Sequence, residues 1–448
     1  MLTSQKIKYA TRQFTTVALD ITNYCNSRCV FCLNEWDDAP CNMTEEVMKK
    51  VIQVLPFTQD GQFHFSYIYE PTIHPEFFSL LNAIPIQFKD KCFFTTNLVR
   101  KMSDEEIIFL AQSPVSYINI SLETFSDKLY FDLSGNESSY FYYNLERICE
   151  IFTKFKNAPR IHFITMVLSS NYEELEAIAL RAMELIDYEW HEFRVPYFFH
   201  SKDNNRFFRE LLEKAQIEYV FEKLNAVNPG KIICTNKDKV DKNSYKKMLK
   251  EYVPYQNKQR FSYGDRYTVT IHSDGTGFFM GNQKEFDLKN IDWPFEFFSN
   301  SLLQLQENHC SDYSKVPNLI VNAGDFNLNG FLDEAVLYDK RFLALSGWCY
   351  SAAIKNENTG EVYVRLKFCT KDSYTFAAGK IQRPDVCEVF QNAPLLCGFS
   401  IYIDMRVLNS EYWETCEVQV AINMDDVKNN TATNFISLAE LIYMKGNY

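Results

Sequence analysis

No stretch of this chain approaches the ~18–20 consecutive apolar residues that cross a bilayer, so no membrane span is expected. The opening residues Met1-Leu2-Thr3-Ser4-Gln5-Lys6 lack the apolar core of a signal peptide. Positive charge is also in short supply. Against 58 aspartates and glutamates stand 46 lysines and arginines, for a formal charge of −12. That balance argues against nucleic acid or an anionic membrane surface as the main partner. The thirteen cysteines show no framework spacing; outside one loop they are scattered singly, and their number is odd. Such usage suits a reducing cytoplasm, not an oxidised secreted protein. Near that loop there is no second close Cys/His pair, which a structural zinc site built from paired ligands would need.

What the chain does hold begins with size. At 448 residues and 46% apolar composition it is long enough for two or three domains with ample cores. An apolar, β-branched run, Thr15–Ile21, reads as a strand and leads into a loop carrying Cys25, Cys29 and Cys32. Three thiolates this close in sequence can converge on one metal. A [4Fe–4S] cluster normally takes four cysteines, so three leave one iron without a protein ligand. The residues alone leave two other readings open: a zinc knuckle with its fourth ligand elsewhere, or three unrelated thiols.

Up to about residue 200, short apolar runs alternate with helical stretches, as in repeated βα units. The pattern predicts strands at Thr15–Ile21, Phe63–Ile68, Cys92–Thr96, Ser116–Leu122, Arg160–Leu168 and Trp190–Val195. It predicts helices at Met43–Val54, His74–Ala83, Ser103–Gln112, Ser138–Phe155 and Tyr172–Ile186, behind a polar lead-in at 1–13. Six parallel strands with crossover helices suggest an α/β partial (β/α)6 barrel, whose chemistry would sit at the C-terminal strand ends.

The cysteine loop, with the aromatic Phe31 before its third cysteine, resembles the signature of the radical S-adenosylmethionine (radical SAM) enzymes. The strand ends resemble the family in the same order. Tyr67-Ile68-Tyr69-Glu70-Pro71 looks like its Gly-Gly-Glu-Pro stretch, with Ile68 and Tyr69 in place of the glycines. Thr95-Thr96-Asn97-Leu98 looks like Thr-Thr-Asn-Gly, and Ser121-Leu122-Glu123 like its Ser-(Ile/Leu)-(Asp/Glu) segment; Asp127 and Leu133-Ser134-Gly135 echo a further stretch. The resemblance implies that Cys25, Cys29 and Cys32 hold a [4Fe–4S] cluster whose open iron binds the amino and carboxylate groups of SAM. Reductive cleavage then yields a 5′-deoxyadenosyl radical that abstracts hydrogen from an organic substrate. It places Phe31, Glu70, Thr96, Asn97, Ser121 and Glu123 against the cofactors and leaves catalytic residues unassigned. It also implies an external electron donor such as flavodoxin or ferredoxin, with Arg28 as a docking candidate. Arg194 is expected to face a substrate carboxylate or phosphate, or else a barrel carboxylate. His200 and His272 read as structural; Cys41, Cys92 and Cys234 could supply hydrogen-atom donors that sequence cannot place.

Residues 201–315 read as a small α+β capping extension, with helices at Asp203–Ala215, Ser244–Tyr252 and Ile291–Asn308. Its hairpin at Arg266–Met280 turns at Asp274-Gly275. This hairpin resembles one in radical SAM peptide maturases, where a cysteine for an auxiliary cluster follows; Met280 stands in that place here, and Cys234 and Cys310 are single. Residues 316–448 read as an all-β sandwich, with strands at Phe342–Tyr350, Val362–Lys367, Gly398–Ile403 and Glu417–Ile422. Its stretches Leu345-Ser346-Gly347-Trp348, Arg383-Pro384-Asp385-Val386 and Cys397-Gly398-Phe399 resemble an immunoglobulin-like module of bacterial glycosyltransferases and related glycan-pathway enzymes, with Trp348 expected in the core. The expected substrate is therefore a small molecule, a saccharide or glycan precursor, with a peptide or protein as the alternative. A non-catalytic metal-binding scaffold with an interaction module is the reading from another class.

Overall fold

The computed structural model describes residues 9–32, 39–59, 61–196, 208–236, 265–306, 328–338, 341–351, 361–369, 373–405, 415–423, 431–432 and 436–440. His200, Cys310 and the helix expected at Ser244–Tyr252 lie outside them. The chain divides into two compact units, Phe14–Phe295 and the pair of segments Met1–Gln13 and Glu296–Tyr448.

The first strand, β1 (Tyr9–Ala10), belongs to the second unit and is taken up there. The unit Phe14–Phe295 is built on β2 (Thr16–Leu19), β3 (Phe63–His64), β4 (Cys92–Thr96), β5 (Tyr117–Ser121), β6 (Arg160–Met166), β7 (Trp190–Arg194), β8 (Ile232–Thr235), β9 (Thr268–Ile271), β10 (Thr276–Phe279) and β11 (Lys284–Asp287). They form one ten-stranded sheet in the order β11-β10-β9-β2-β3-β4-β5-β6-β7-β8. From β9 across to β8 every pairing is parallel. The six expected strands all occur, in sequence order.

The helices run α1 (Glu45–Val51), α2 (Phe77–Asn82), α3 (Asp104–Ala111), α4 (Asp127–Ser134), α5 (Ser139–Phe152), α6 (Leu175–Leu185) and α7 (Lys214–Val227). Local chemistry sets their ends. Thr44 caps α1, and Ser103 with Glu106 makes a capping box on α3. α2 starts later than expected because His74 precedes Pro75, which holds it extended (ψ 128°). No α4 was expected; Ser126 caps it and Gly135 ends it in the left-handed region (φ 75°). Between Trp190–Arg194 and the hairpin, the sequence pattern predicts a helix at Asp203–Ala215. Its described part is followed instead by α7, which leads to the unexpected parallel strand β8.

The expected hairpin is present. Its first strand, β9, pairs in parallel with β2, so the hairpin extends the large sheet, and β11 adds a third strand. Gly275 turns it at φ +84°, a conformation that L side chains rarely adopt. The helix expected at Ile291–Asn308 is α8 (Pro294–Leu305).

One face of the sheet is apolar and aromatic, and His191 is packed there among Phe163, Tyr188 and Phe193. His191 on β7 is fully buried; its Nε2 lies 2.7 Å from the Thr165 hydroxyl, and its Nδ1 has no hydrogen-bond partner. Burial pushes its pKa down to about 3. The unfolded chain therefore binds a proton between about pH 6.5 and 3 that the native chain does not, and stability is lost as pH falls through that window. A His191→Phe variant escapes the loss. In urea unfolding, the difference between wild type and variant is expected to shift in the variant's favour by about 1.4 kcal/mol per pH unit below pH 6.

The second unit contains β12 (Leu328–Tyr338), β13 (Phe342–Ser351), β14 (Glu361–Lys367), β15 (Ser373–Ala377), β16 (Gly379–Ile381), the short helix α9 (Pro384–Val389), β17 (Gly398–Asp404), β18 (Glu417–Asn423), β19 (Thr431–Ala432) and β20 (Ile436–Ser437). They make two five-stranded antiparallel sheets, one of β1, β17, β13, β12 and β16, the other of β15, β14, β18, β19 and β20. Alternate residues of both, among them Leu343, Leu345, Ile401, Val364, Val418 and Phe376, share one core. Two expectations are corrected. Residues 1–13 are not merely a lead-in, because Tyr9 and Ala10 pair with Ile403 and Tyr402 of β17. Trp348 is not in the central core: its strand points Leu345 and Cys349 inward, and the indole joins a small outer cluster with Tyr350, Val386 and Cys397.

Candidate functional site

The site is assembled where β2, β3, β4 and β5 end. β3 is cut short of the expected Ile68 because the next backbone donors turn elsewhere. Asp20, one residue past β2 and 2% exposed, accepts from three consecutive N–H groups with one oxygen: Tyr67 at 3.0 Å, Ile68 at 2.9 Å and Tyr69 at 3.4 Å. Burial raises the Asp20 carboxyl to about 6, against the opposing pull of those N–H groups. Sequence reasoning passed over Asp20; a carboxylate just after the first strand and just before the cysteines was the available signal. A leucine there removes the acceptor for the half-buried Ile68 and Tyr69 N–H groups, each loss costing on the order of 1 kcal/mol, while the Tyr67 N–H keeps the Leu19 carbonyl at 3.0 Å. Thermal unfolding should show a drop of several degrees for Asp20→Leu and a much smaller one for Asp20→Asn, which keeps an acceptor oxygen.

Glu70 follows directly and is 3% exposed. One oxygen accepts from the Thr72 N–H (3.1 Å), the Thr72 hydroxyl (2.6 Å) and the Thr96 hydroxyl (2.8 Å); the other accepts from the Asn97 N–H (2.6 Å). Burial raises its pKa, while these four donors lower it. Asn97 passes the connection on. Its side-chain amide donates to Asn26 Oδ1 (2.9 Å), Ser27 Oγ (2.8 Å) and, at 3.7 Å, the sulfur of Cys25. Glu70, Thr96 and Asn97 are thus joined to each other and to the cysteine loop. Leu98, at the position of the expected glycine, adopts φ 54° nonetheless.

Most of the loop's frame does not use the thiols, although the Cys25 sulfur accepts from the Ser27 N–H at 3.4 Å. Arg28 Nη1 donates to the carbonyls of Cys25 and Ser27, and the Arg28 and Val30 N–H groups donate to Ser134 and Leu133 of α4. Asn136 holds Ser27 Oγ from the other side at 2.8 Å. Cys25 is buried, and Cys29 and Cys32 are partly exposed. Burial pushes the Cys25 thiol up to about 12, with the charges of Glu70 and Cys32 adding to it. Cys29 is raised well above the usual thiol range by burial, then by Cys32, Cys25 and Glu123. The three sulfurs therefore share one neighbourhood, in which each opposes ionisation of another. A cation among thiolates reverses that opposition, so the donor chemistry fits an iron–sulfur cluster. Among the described residues, no group of three or more Cys, His, Asp or Glu already stands in a metal-holding arrangement. Closing one requires the sulfurs to draw together within the frame.

Glu123, just past β5, is buried apart from the Glu70 network. It accepts from the Met166 N–H at 2.8 Å, and burial raises its pKa to about 8 against that bond and the charge of Arg194. Asn171 fixes this corner by donating to the carbonyls of Glu123 and Met166, a role that no sequence feature marked. Ser121 ends β5 partly exposed, and Phe31 is partly exposed beside Cys32; no described hydrogen bond ties either to Glu70. Arg194 takes the second of its two expected roles. It grips Glu192 with Nε at 2.9 Å and Nη2 at 2.6 Å, and Thr235 donates to the same carboxylate at 2.6 Å.

The radical SAM superfamily model matches residues 19–182. No curated protein matches the chain. Similar solved structures include SuiB of Streptococcus suis bound to S-adenosylmethionine, with 15% identity over 65% of this chain and 67% of that one at a TM-score of 0.46. Another is native anSMEcpe with bound AdoMet, with 16% identity over 66% of this chain and 82% of that one at 0.42. A third is the FeFe-hydrogenase maturase HydG of Carboxydothermus hydrogenoformans, with 11% identity over 65% and 66% at 0.35. The cysteine loop and the strand ends through Glu123 all fall inside the matched segment, so residues 19–182 are similar to the radical SAM superfamily, whose members are enzymes that work with a [4Fe–4S] cluster and S-adenosylmethionine.

Proposed function

We propose that this chain is a radical SAM enzyme in which Cys25, Cys29 and Cys32 hold the [4Fe–4S] cluster and Phe31, Glu70, Thr96, Asn97, Ser121 and Glu123 surround SAM. The bound pair supplies a carbon radical able to remove hydrogen from an unactivated C–H bond. The chain's own work is placement. The observation that carries the reading is the unbroken line of hydrogen bonds from Glu70 through Asn97 to Ser27 and Cys25, which couples an ammonium-binding carboxylate to the cluster loop. Anaerobic reconstitution tests it. A brown protein with about four irons per chain that releases 5′-deoxyadenosine with dithionite supports the proposal; a colourless zinc protein favours the scaffold reading.

A partial barrel is the finer reading of the large sheet. The charge of Arg194 on β7 bears on His64 of β3, whose pKa burial lowers to about 3, although four strand spacings separate the two along the sheet. A curled sheet brings them near each other. The Glu192–Arg194 pair and Thr235 then line the concave face where a substrate lies. A β-sandwich is the corresponding reading of the second unit, and 201–315 remains the proposed cap.

The substrate we propose is a saccharide or glycan precursor. A neutral Glu–Arg pair flanked by hydroxyls suits a polyhydroxylated ligand, because the carboxylate accepts from hydroxyls and the guanidinium donates to them. A peptide is the second reading, and the three-stranded β9–β11 ribbon favours it by offering a maturase-like platform. Mass analysis of anaerobic turnover separates the two. Exposed Arg28 stays a candidate contact for an acidic electron donor. All twelve described cysteines are free, in keeping with a reducing cytoplasm.

A further inference from the structure

Leu345–Trp348, Arg383–Val386 and Cys397–Phe399 are far apart in the chain and have no part in the cluster loop. The fold gathers them on one outer sheet face. Phe331 of β12 stands opposite Trp348 of β13, and Trp348 opposite Gly398 of β17. Neighbouring positions Leu345, Cys349 and Phe399 point the other way, into the core. Gly398 leaves room for an arginine: a Cβ there would lie 2.6 Å from Arg383 Cγ. The head of Arg383 is held by two carboxylates. Nε and Nη2 donate to Asp385 at 2.8 and 2.6 Å, and Nη1 donates to Asp333. A bulge between Leu332 and Glu334 falls at Asp333, and bulges re-aim side chains. Phe390 tilts against Trp348 with ring centres 5.3 Å apart. Phe331 is nonetheless 57% exposed, and the Asp385 side chain 61%.

We propose that this face is a carbohydrate-binding site, where a sugar ring lies on Phe331 beside Trp348 and its hydroxyls donate to Asp333 and Asp385. A pyranose has an apolar C–H face and a polar rim, and the row Phe331–Trp348–Arg383 offers the complement of both. Two carboxylates against one guanidinium leave the triad net negative, which disfavours phosphates and other anions. The arginine's bonds to the two carboxylates fix them, so their remaining lone pairs are aimed before a ligand arrives. The competing occupant is a protein surface, because Leu395 and Leu396 are exposed nearby.

The test uses the full chain in native gels containing a soluble β-glucan, an α-mannan or a galactan. At least one polysaccharide is expected to slow the wild type. Phe331→Ala and Asp385→Asn should each weaken retention tenfold or more, with unchanged circular dichroism and unchanged 5′-deoxyadenosine release. The site proposal falls if none of the three slows the wild type, or if Phe331→Ala is slowed as strongly. It also falls if Phe331→Ala instead abolishes self-association of the chain, which would assign the face to protein contact. Because retention is read without the cluster, its failure is distinguishable from failure of the radical chemistry.

Discussion

Alanine at Cys25, Cys29 or Cys32 is expected to abolish both iron content and 5′-deoxyadenosine release, each substitution alone being sufficient. An iron cube held by three thiolates has no spare protein ligand. Two remaining sulfurs leave a second iron open and the cluster prone to loss. The loop itself should survive, because Arg28, Asn136, the Asn97–Ser27 bond and the backbone bonds to α4 frame it without the thiols, and only the weak contacts of the Cys25 sulfur with Ser27 and Asn97 are lost in Cys25→Ala. Circular dichroism and thermal unfolding of the apoprotein should therefore match the wild type while the brown chromophore is gone. A variant that keeps its iron and still cleaves SAM would refute the assignment.

The second large effect is expected at Glu70. Its carboxylate satisfies four donors from Thr72, Thr96 and Asn97. Glu70→Ala leaves buried donors stranded, each costing roughly 1–3 kcal/mol, and removes the negative charge proposed to face the SAM ammonium. Charge-assisted bonds of this type contribute about 1.5–3 kcal/mol. SAM affinity measured by equilibrium dialysis should fall on the order of 10- to 100-fold. Glu70→Gln keeps one acceptor oxygen and the shape but turns an NH2 toward the Asn97 N–H, so it should lose less stability than alanine yet bind SAM nearly as weakly. That split separates the charge from the scaffold. Equal SAM affinity in Glu70→Gln and wild type would remove Glu70 from the cofactor site.

Much of this site could be read before any coordinates, for a physical reason. A cysteine triad and an ordered series of polar strand ends are local in sequence, and parallel strands carry that order directly into space. Thr96, Asn97 and Glu70 each end or follow a strand, so finding the strands found the residues. What stayed hidden was set by partners distant in the chain. Asp20 looks like any polar residue until the backbone of 67–69 folds over it. Asn136 and Asn171 act through carbonyls and hydroxyls with no motif. β8 and the joining of β9 to β2 depend on which edge of the sheet is left open, and hydrophobic periodicity says nothing about that. Trp348 was assigned to the core on its size, but strand alternation overrides size: one register step separates it from inward-facing Cys349.

The pairing of β1 with β17 links residues that precede the whole unit Phe14–Phe295 in the chain with others that follow it. That unit has all its described strands available before β17 is made. Domains generally fold as they are synthesised, so the unit bearing the cysteines is free to mature first, while Tyr9 and Ala10 wait for their partner strand. A premature stop before Gly398 would therefore release a polypeptide whose first strand has no edge to join, a ready target for quality-control proteases.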